Sequence, residues 1–207
     1  LNWILEIDIA LLRLLNLQWT NPFLDRFIPL FSDIDEWKIP LIFLSILIVI
    51  KERRKGILVL IGLGLTVLLS ETMSTQVVKQ IVGRIRPCHV HEWVRLLGYC
   101  PSSPSFTSTH ATNIFAAATF LSFFFPRWRL PMLALAVLVG YSRIYRGVHY
   151  PFDVLGGAML GIGCAWMVFI LFRDFVLPRA GINLKSSCPN STGRSYPMMG
   201  KNPEQGL

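Results

Sequence analysis

The stretch from Leu130 to Phe172 reads LPMLALAVLVGYSRIYRGVHYPFDVLGGAMLGIGCAWMVFILF. Two apolar runs, about Leu130 to Tyr145 and Val154 to Phe172, flank a turn that carries Arg143, Arg146, His149 and Asp153. Runs approaching 20 apolar residues are the length needed to cross roughly 30 Å of hydrocarbon. A purely structural turn between two such runs has no need of four ionisable side chains. The stretch therefore predicts a membrane-spanning helical hairpin with a chemically equipped end. A cation, a histidine and a carboxylate together at a membrane interface suit phosphate chemistry.

Outward from this hairpin the same reading holds. Of the 207 residues, 53% are hydrophobic and only 15% charged, with a mean hydropathy of +0.51; soluble domains carry about 25% charged residues. Further spans are expected from about Trp37 to Ile50, from about Gly56 to Arg84, and from Ser108 to just before Pro126. Residues 3–16 and a second piece to about Ser32 read as interfacial amphipathic helices. The predicted fold is thus all-α: a polytopic transmembrane helix bundle of about five spans. One membrane-embedded domain is expected over 1–175, with interfacial helices over 1–35 and the transmembrane core over 36–175. A flexible cytoplasmic tail is expected over 176–207. The chain starts at Leu1, so its start reads as processed or trimmed, and Glu6, Asp8 and Arg13 interrupt any signal-peptide core.

Net charge is +8. With no zinc-finger spacing and no basic recognition helix, this charge fits anionic headgroups or an anionic substrate rather than nucleic acid. Five spans place the loop 51–55, the segment 126–129 and the tail on one side, with eleven of the twenty Lys and Arg. Setting aside Lys79, Arg86 and Arg143 as site candidates leaves six on the other side, so 51–55 is expected to be cytoplasmic. The loop 85–107 and the turn 146–153 then face outward, toward the periplasm or extracytoplasmic side of the inner (plasma) membrane. Cys88 and Cys100 share that outer loop, where a disulfide or two unpaired thiols fit equally. Cys164 reads as a small core residue, and Cys188 in the tail carries no signal.

Three clusters sit at the outer ends of spans. Lys79 and Arg86-Pro87 lie two helical turns apart on one face; snorkelling to headgroups is the plain alternative. Ser105 to Ala111 gathers Ser108, Thr109 and His110 where a helix begins, an N-terminus suited to anions. N-capping would explain the hydroxyls there but leaves His110 unexplained. In the third cluster Arg143 offers a phosphate-matching fork. His149 and Asp153, four apart, let a carboxylate orient an imidazole; the alternative is that Asp153 caps a helix. All three clusters fall on one predicted face of the membrane, where charged residues are costly and usually mark a site. Nucleophile, general acid and charge clamp are what phosphomonoester cleavage needs.

These clusters resemble the tripartite signature of the type-2 phosphatidic acid phosphatase superfamily, over about residues 56–175. Lys79 to Arg86-Pro87 matches the first motif, and Ser142-Arg143 to His149 to Asp153 the third. The second, usually Pro-Ser-Gly-His, reads Thr107-Ser108-Thr109-His110, so Pro and Gly are replaced by threonines. The resemblance implies an integral membrane lipid phosphatase of bacterial type that works through a phosphohistidine. His149 would be the nucleophile, Asp153 its orienting partner and His110 the acid. Lys79, Arg86, Ser108, Arg143 and the Thr109 N–H would hold phosphate. The Thr109 hydroxyl would either bind phosphate or shape the pocket. No metal and no cofactor are implied, and acidic residues near the site are too sparse to cage magnesium.

The expected partners are a lipid phosphate substrate and the bilayer, with no obligate protein partner. Candidate substrates are undecaprenyl pyrophosphate, lipid A phosphate, phosphatidylglycerol phosphate and phosphatidic acid, with a lean to the first two. Phosphotransfer to another lipid, or transport or binding of an anionic lipid without catalysis, are the competing readings. Arg84 and Arg146 read as solvated rim charges, and His89 and His91 as loop polarity rather than metal ligands. Glu71, mid-span, reads equally as a functional group or as a partner of Ser74, Thr75 and Gln76.

Overall fold

The structure, a computed structural model, describes residues 2–31 and 34–182, and of 34–38 and 40 the backbone alone. The tail reading over 183–207, including Cys188, lies outside the described residues. Ten α-helices follow one another, and no strand occurs among the described residues: α1 (Asn2–Arg13), α2 (Pro22–Phe27), α3 (Ile34–Glu52), α4 (Arg54–Thr72), α5 (Lys79–Val82), α6 (Pro87–Val90), α7 (Thr109–Phe124), α8 (Arg129–Tyr145), α9 (Pro151–Leu171) and α10 (Leu177–Arg179). A π-helical segment, Met73–Val78, joins α4 to α5 without a break. Such wide turns are frequent at functional sites.

Long helices stand at each expected span position: α3, α4, α7, α8 and α9. By length and composition two runs, Arg54–Val90 and Pro151–Arg179, can cross a membrane. The outward faces are apolar: Ile39, Ile42, Phe43 and Ile50 on α3, Ile57, Ile61 and Leu68 on α4, and Leu155 and Met159 on α9 are all exposed. Water would penalise such a surface, whereas lipid accepts it.

The core is built on α7 against α9. Gly157 and Gly161 form a small-xxx-small face on α9. A Cβ at Gly161 would lie 2.1 Å from the Thr112 carbonyl oxygen, and one at Gly157 would lie 2.7 Å from that of Ser108. The two backbones therefore touch directly. At one end of the bundle Val59, Phe120, Phe124, Ala165, Val168, Phe172 and Leu177 close an apolar core. Helix continues through Arg173 to Arg179, past residue 176 where the sequence reading starts the tail, and Leu177 is buried. The apolar face of Leu177 and Phe172 overrides the polar composition around them.

At the other end lie the C-terminal ends of α5 and α8 and the N-terminal ends of α7 and α9. Gly83, at φ +58°, ends α5 in the left-handed conformation and turns the chain into the loop toward α7. Cys88 and Cys100 are joined by a disulfide that closes this loop. The N-terminal helices also pack here. Asp8, Leu12 and Asn16, four apart on one stripe, are buried, while Trp3, Ile4, Leu5 and Ile7 are exposed. α1 thus buries a mixed stripe of Asp8 and Leu12 and exposes the apolar Trp3, Ile4, Leu5 and Ile7, so it docks on the domain while presenting a lipid-compatible surface.

Gly161→Ala is expected to force α7 and α9 apart and to cost about 1–3 kcal/mol. Gly163→Ala, which would meet nothing within 4 Å, is expected to be neutral. Thermal unfolding of the two variants in detergent compares them.

Candidate active site

The three sequence clusters converge on one cavity of about 600 Å³, lined at one end by Lys79, Arg86, Ser103, Thr109, His110, Arg143 and His149. The opposite end is apolar, with Leu63, Val67, Ile114, Leu135 and Val139 among its lining residues. Lys79, Arg86 and Arg143 are all buried. Charges so placed are directed inward, which excludes snorkelling as the account of Lys79 and Arg86.

Arg86 is held on several sides. Its Nε donates to the Ser103 carbonyl at 2.7 Å, Nη2 to Ser103 Oγ at 3.0 Å, and Nη1 to the Val148 carbonyl at 3.0 Å. Nη1 also lies 2.9 Å from His149 Nε2. Because a guanidinium only donates, Nε2 must carry the lone pair, and the ring proton of neutral His149 sits on Nδ1. Nδ1 faces Ser105 Oγ at 3.4 Å and Asp153 Oδ2 at 3.6 Å. Burial above all, reinforced by the Arg86 guanidinium, lowers the His149 imidazole to about 3 against the opposing pull of Asp153.

Asp153 has no exposed surface. Its Oδ2 accepts from Ser105 Oγ and, at 2.9 Å, from the Tyr150 N–H, so it caps α9 as well as facing the histidine. Its Oδ1 accepts from Arg84 Nη1 at 2.8 Å. Arg84 reaches on to Asp8 Oδ2 at 2.7 Å and lies over the Tyr150 ring at 3.8 Å. Asp8 Oδ1 accepts from the Phe152 N–H at 2.9 Å. Burial pushes the Asp8 carboxyl up, opposed by the Phe152 and Arg84 hydrogen bonds. Arg84 is therefore no solvated rim charge: it bridges two buried carboxylates. Asp8 and Ser105 escape a local reading because their partners lie 76 and 48 residues away in the chain. The one available signal for Asp8 is its i, i+4 stripe with Leu12 and Asn16.

Ser108 stands at the N-cap of α7 but makes no side-chain capping bond. Its hydroxyl is fully buried and has no hydrogen-bond partner among the described residues, while its N–H donates to the Asp153 carbonyl at 3.0 Å. Thr107 and Thr109, the two departures from the second motif, share one partner. Ser74 Oγ lies 3.0 Å from Thr107 Oγ1 and 3.1 Å from Thr109 Oγ1. Ser74 comes from the π-helical segment, so that wide turn anchors the altered motif. His110 follows, half-buried at the cavity wall.

The remaining charged and polar residues of the loop serve packing. Arg146 Nε donates to the Leu97 carbonyl at 3.0 Å, and the Leu97 N–H returns to the Arg146 carbonyl. His91 stacks on Trp93 and lies 3.2 Å from Tyr150 Oη. His89 meets the Pro101 carbonyl. Cys88, His89 and Cys100 come together, but the two sulfurs are already bonded to each other.

A profile described as the PAP2 superfamily matches residues 56–176. A lipid A 4'-phosphatase of Porphyromonas gingivalis is 30% identical over 203 residues, covering 95% of this chain and 84% of that protein. A lipid A 1-phosphatase of Rhizobium johnstonii is 34% identical over 118 residues, 55% of this chain and 46% of that protein. The chain spans about half the length of the lipid A 1-phosphatases it matches, 46% and 48%. Among solved structures, Aquifex aeolicus LpxE is similar with a TM-score of 0.65 at 30% identity, covering 79% of this chain and 95% of that one.

Asp8→Ala leaves Arg84 and the Phe152 N–H without their acceptor. It is expected to destabilise the fold by about 3 kcal/mol, as breaking a buried ion pair does, read as a lower thermal midpoint in detergent. An unchanged midpoint would show that the Asp8–Arg84 bridge carries no stability.

Proposed function

This chain belongs to the PAP2 superfamily, and from that membership we propose that it is an integral membrane lipid phosphatase. It hydrolyses a phosphate monoester or pyrophosphate of a membrane lipid through a phosphohistidine intermediate. The observation that carries this reading is the lone pair of His149 Nε2, which accepts from Arg86 Nη1 at the wall of a cavity that is cationic at one end and apolar at the other. Such a shape receives a phosphate and the lipid attached to it. An anion-binding protein needs the cations, but not a buried imidazole backed by a carboxylate.

In this reading Lys79, Arg86 and Arg143 clamp the phosphate oxygens, with the Ser108 hydroxyl and the N–H of Thr109 at the start of α7. The Thr109 hydroxyl is already engaged by Ser74 and shapes the pocket. His149 Nε2 attacks phosphorus; the N–P bond forms as the bond to the lipid oxygen breaks. His110 gives that oxygen its proton. The ring of His149 becomes cationic, and Asp153 stabilises it through Nδ1–H, a contact that tightens as charge builds. Water then attacks phosphorus, His110 takes its proton, and the N–P bond breaks to release phosphate. The clamp is built of cations, and Glu71 is the one acidic residue in the cavity lining among the described residues, so the chemistry is assigned to the chain's own residues without a metal.

We infer five spans, α3, α4, α7, α8 and α9, with the site at the outer face of the inner (plasma) membrane. Two observations support that orientation. Lys51, Arg53, Arg54 and Lys55 lie at the opposite end of α4, and the disulfide beside the site belongs to an oxidising compartment. Undecaprenyl pyrophosphate, lipid A phosphate, phosphatidylglycerol phosphate and phosphatidic acid all present the group that this clamp grips.

Phosphate release from a panel of these lipids tests the assignment. His149→Ala is expected to lower kcat by about 10³-fold or more. An unchanged rate would remove His149 as nucleophile. The pH profile supplies a second check. A folded-state imidazole lowered to about 3 is neutral at every pH above that value, so His149 remains competent as pH falls through the ordinary imidazole range. With substrate ionisation accounted for, the acid limb of kcat/KM that belongs to His149 is expected well below pH 6.5. An acid limb near pH 6.5 would mean that burial does not suppress His149 protonation.

A further inference from the structure

The cavity holds a second polar patch that phosphate chemistry does not use. Glu71 on α4 and Asn113 on α7 both line it, among Leu63, Val67, Ile114 and Ala117. Asn113 Nδ2 donates to Glu71 Oε2, and Ser70 Oγ donates to Asn113 Oδ1 at 2.7 Å. These bonds fix the orientation of the amide and hold the carboxylate against the cavity wall. Among the described residues no side chain bonds Glu71 Oε1. Asn113 lies three residues along α7 from His110, and Glu71 eight residues before Lys79. By helical rise the pair sits about 5–12 Å deeper than the phosphate end, where the rest of the lining has become apolar.

Resting on the lipid phosphatase reading, we propose that Glu71 and Asn113 form a second subsite. It binds an N–H or O–H donor that the lipid carries between its phosphate and its chains. The ligand class is a phosphorylated lipid with an amide-linked or hydroxylated acyl chain. Such a lipid holds an amide N–H or a hydroxyl within a few bonds of the phosphate ester, and Glu71 Oε1 accepts it. A polyprenyl chain offers only carbon at that depth, and an ester-linked diacylglycerol offers only carbon and acceptors. Either one covers the carboxylate without supplying a donor, which is costly in a site closed to water. The subsite thus discriminates by penalty as well as by attraction. The clamp grips what all candidate lipids share, and the Glu71–Asn113 pair reads what they do not.

The test uses two phosphate monoesters with matched chains in detergent micelles and the full chain. Ceramide 1-phosphate carries an amide N–H and a hydroxyl beside the phosphate; phosphatidic acid carries neither. Wild type is expected to prefer ceramide 1-phosphate by about tenfold or more in kcat/KM and in Kd, the scale of one hydrogen bond to a charged group. Glu71→Ala is expected to bring that ratio to about one by weakening ceramide 1-phosphate and by relieving the penalty on phosphatidic acid. Should Glu71→Ala not fold, Glu71→Gln keeps the volume, turns one carboxylate oxygen into a donor, and must still lower the ratio. Equal preference in wild type overturns the subsite. So does a parallel loss for both lipids in the variant, which would assign Glu71 to balancing the charge of Lys79. If neither lipid releases phosphate, the hydrolytic reading fails by itself, and the two dissociation constants still decide the subsite by the same criterion.

Discussion

A carboxylate with no exposed surface must be satisfied from every side, and Asp153 sets that demand for the rest of this structure. Its oxygens take the Arg84 guanidinium, the Ser105 hydroxyl and the Tyr150 N–H, and face the Nδ1 of His149. Those partners come from the turn after α5, the loop before α7 and the start of α9. Arg84 in turn engages Asp8 on α1. One buried charge therefore ties α1 to α9. It also turns an N-terminal helix that reads as a membrane-surface element into part of the scaffold behind the histidine.

The cations obey a related constraint. Lys79, Arg86 and Arg143 are buried around one cavity, where like charges repel more strongly than in water. Burial and packing hold them there. Arg86 is fixed by carbonyls of Ser103 and Val148, and the direct contact of the α7 and α9 backbones sets the distance between Ser108 and Asp153. On the proposed function, an incoming phosphate would relieve the repulsion that the fold has assembled. Preorganisation of this kind is the usual source of electrostatic stabilisation in phosphoryl chemistry. The apolar end of the cavity gives the lipid portion of a substrate a place to go without disturbing that arrangement.

The altered second motif shows how a local departure is absorbed. Where the family pattern has Pro and Gly, this chain has Thr107 and Thr109, each adding a hydroxyl that needs a partner when buried. Ser74 answers both. It can do so because the helix widens into π geometry at Met73–Val78, rotating that side chain toward the start of α7. The P. gingivalis lipid A 4'-phosphatase and A. aeolicus LpxE stand near this chain in sequence and fold, so the altered motif sits within an otherwise familiar frame.

Much of the fold was legible because its signals are local. Apolar runs located α3, α4, α7, α8 and α9, and helical spacing put Lys79 with Arg86 and His149 with Asp153. Inward burial of Lys79 and Arg86 and the uncapped hydroxyl of Ser108 then argue against snorkelling and capping, which spacing alone leaves open. Arg84 read as a rim charge and Asp8 as an interfacial one, because a contact across 76 positions leaves no period in the chain. The disulfide at Cys88 and Cys100 was an even alternative until the loop brought the two cysteines together. The sequence by itself determined where the long apolar helices fall and which chemistry the residues at their ends can support, since hydropathy and motif spacing are properties of neighbours in the chain. Only the tertiary structure decided which nitrogen of His149 carries the lone pair, which carboxylates share Arg84, and that Glu71 and Asn113 face the same cavity. Those are consequences of distance and desolvation, which arise when helices remote in the chain pack against each other.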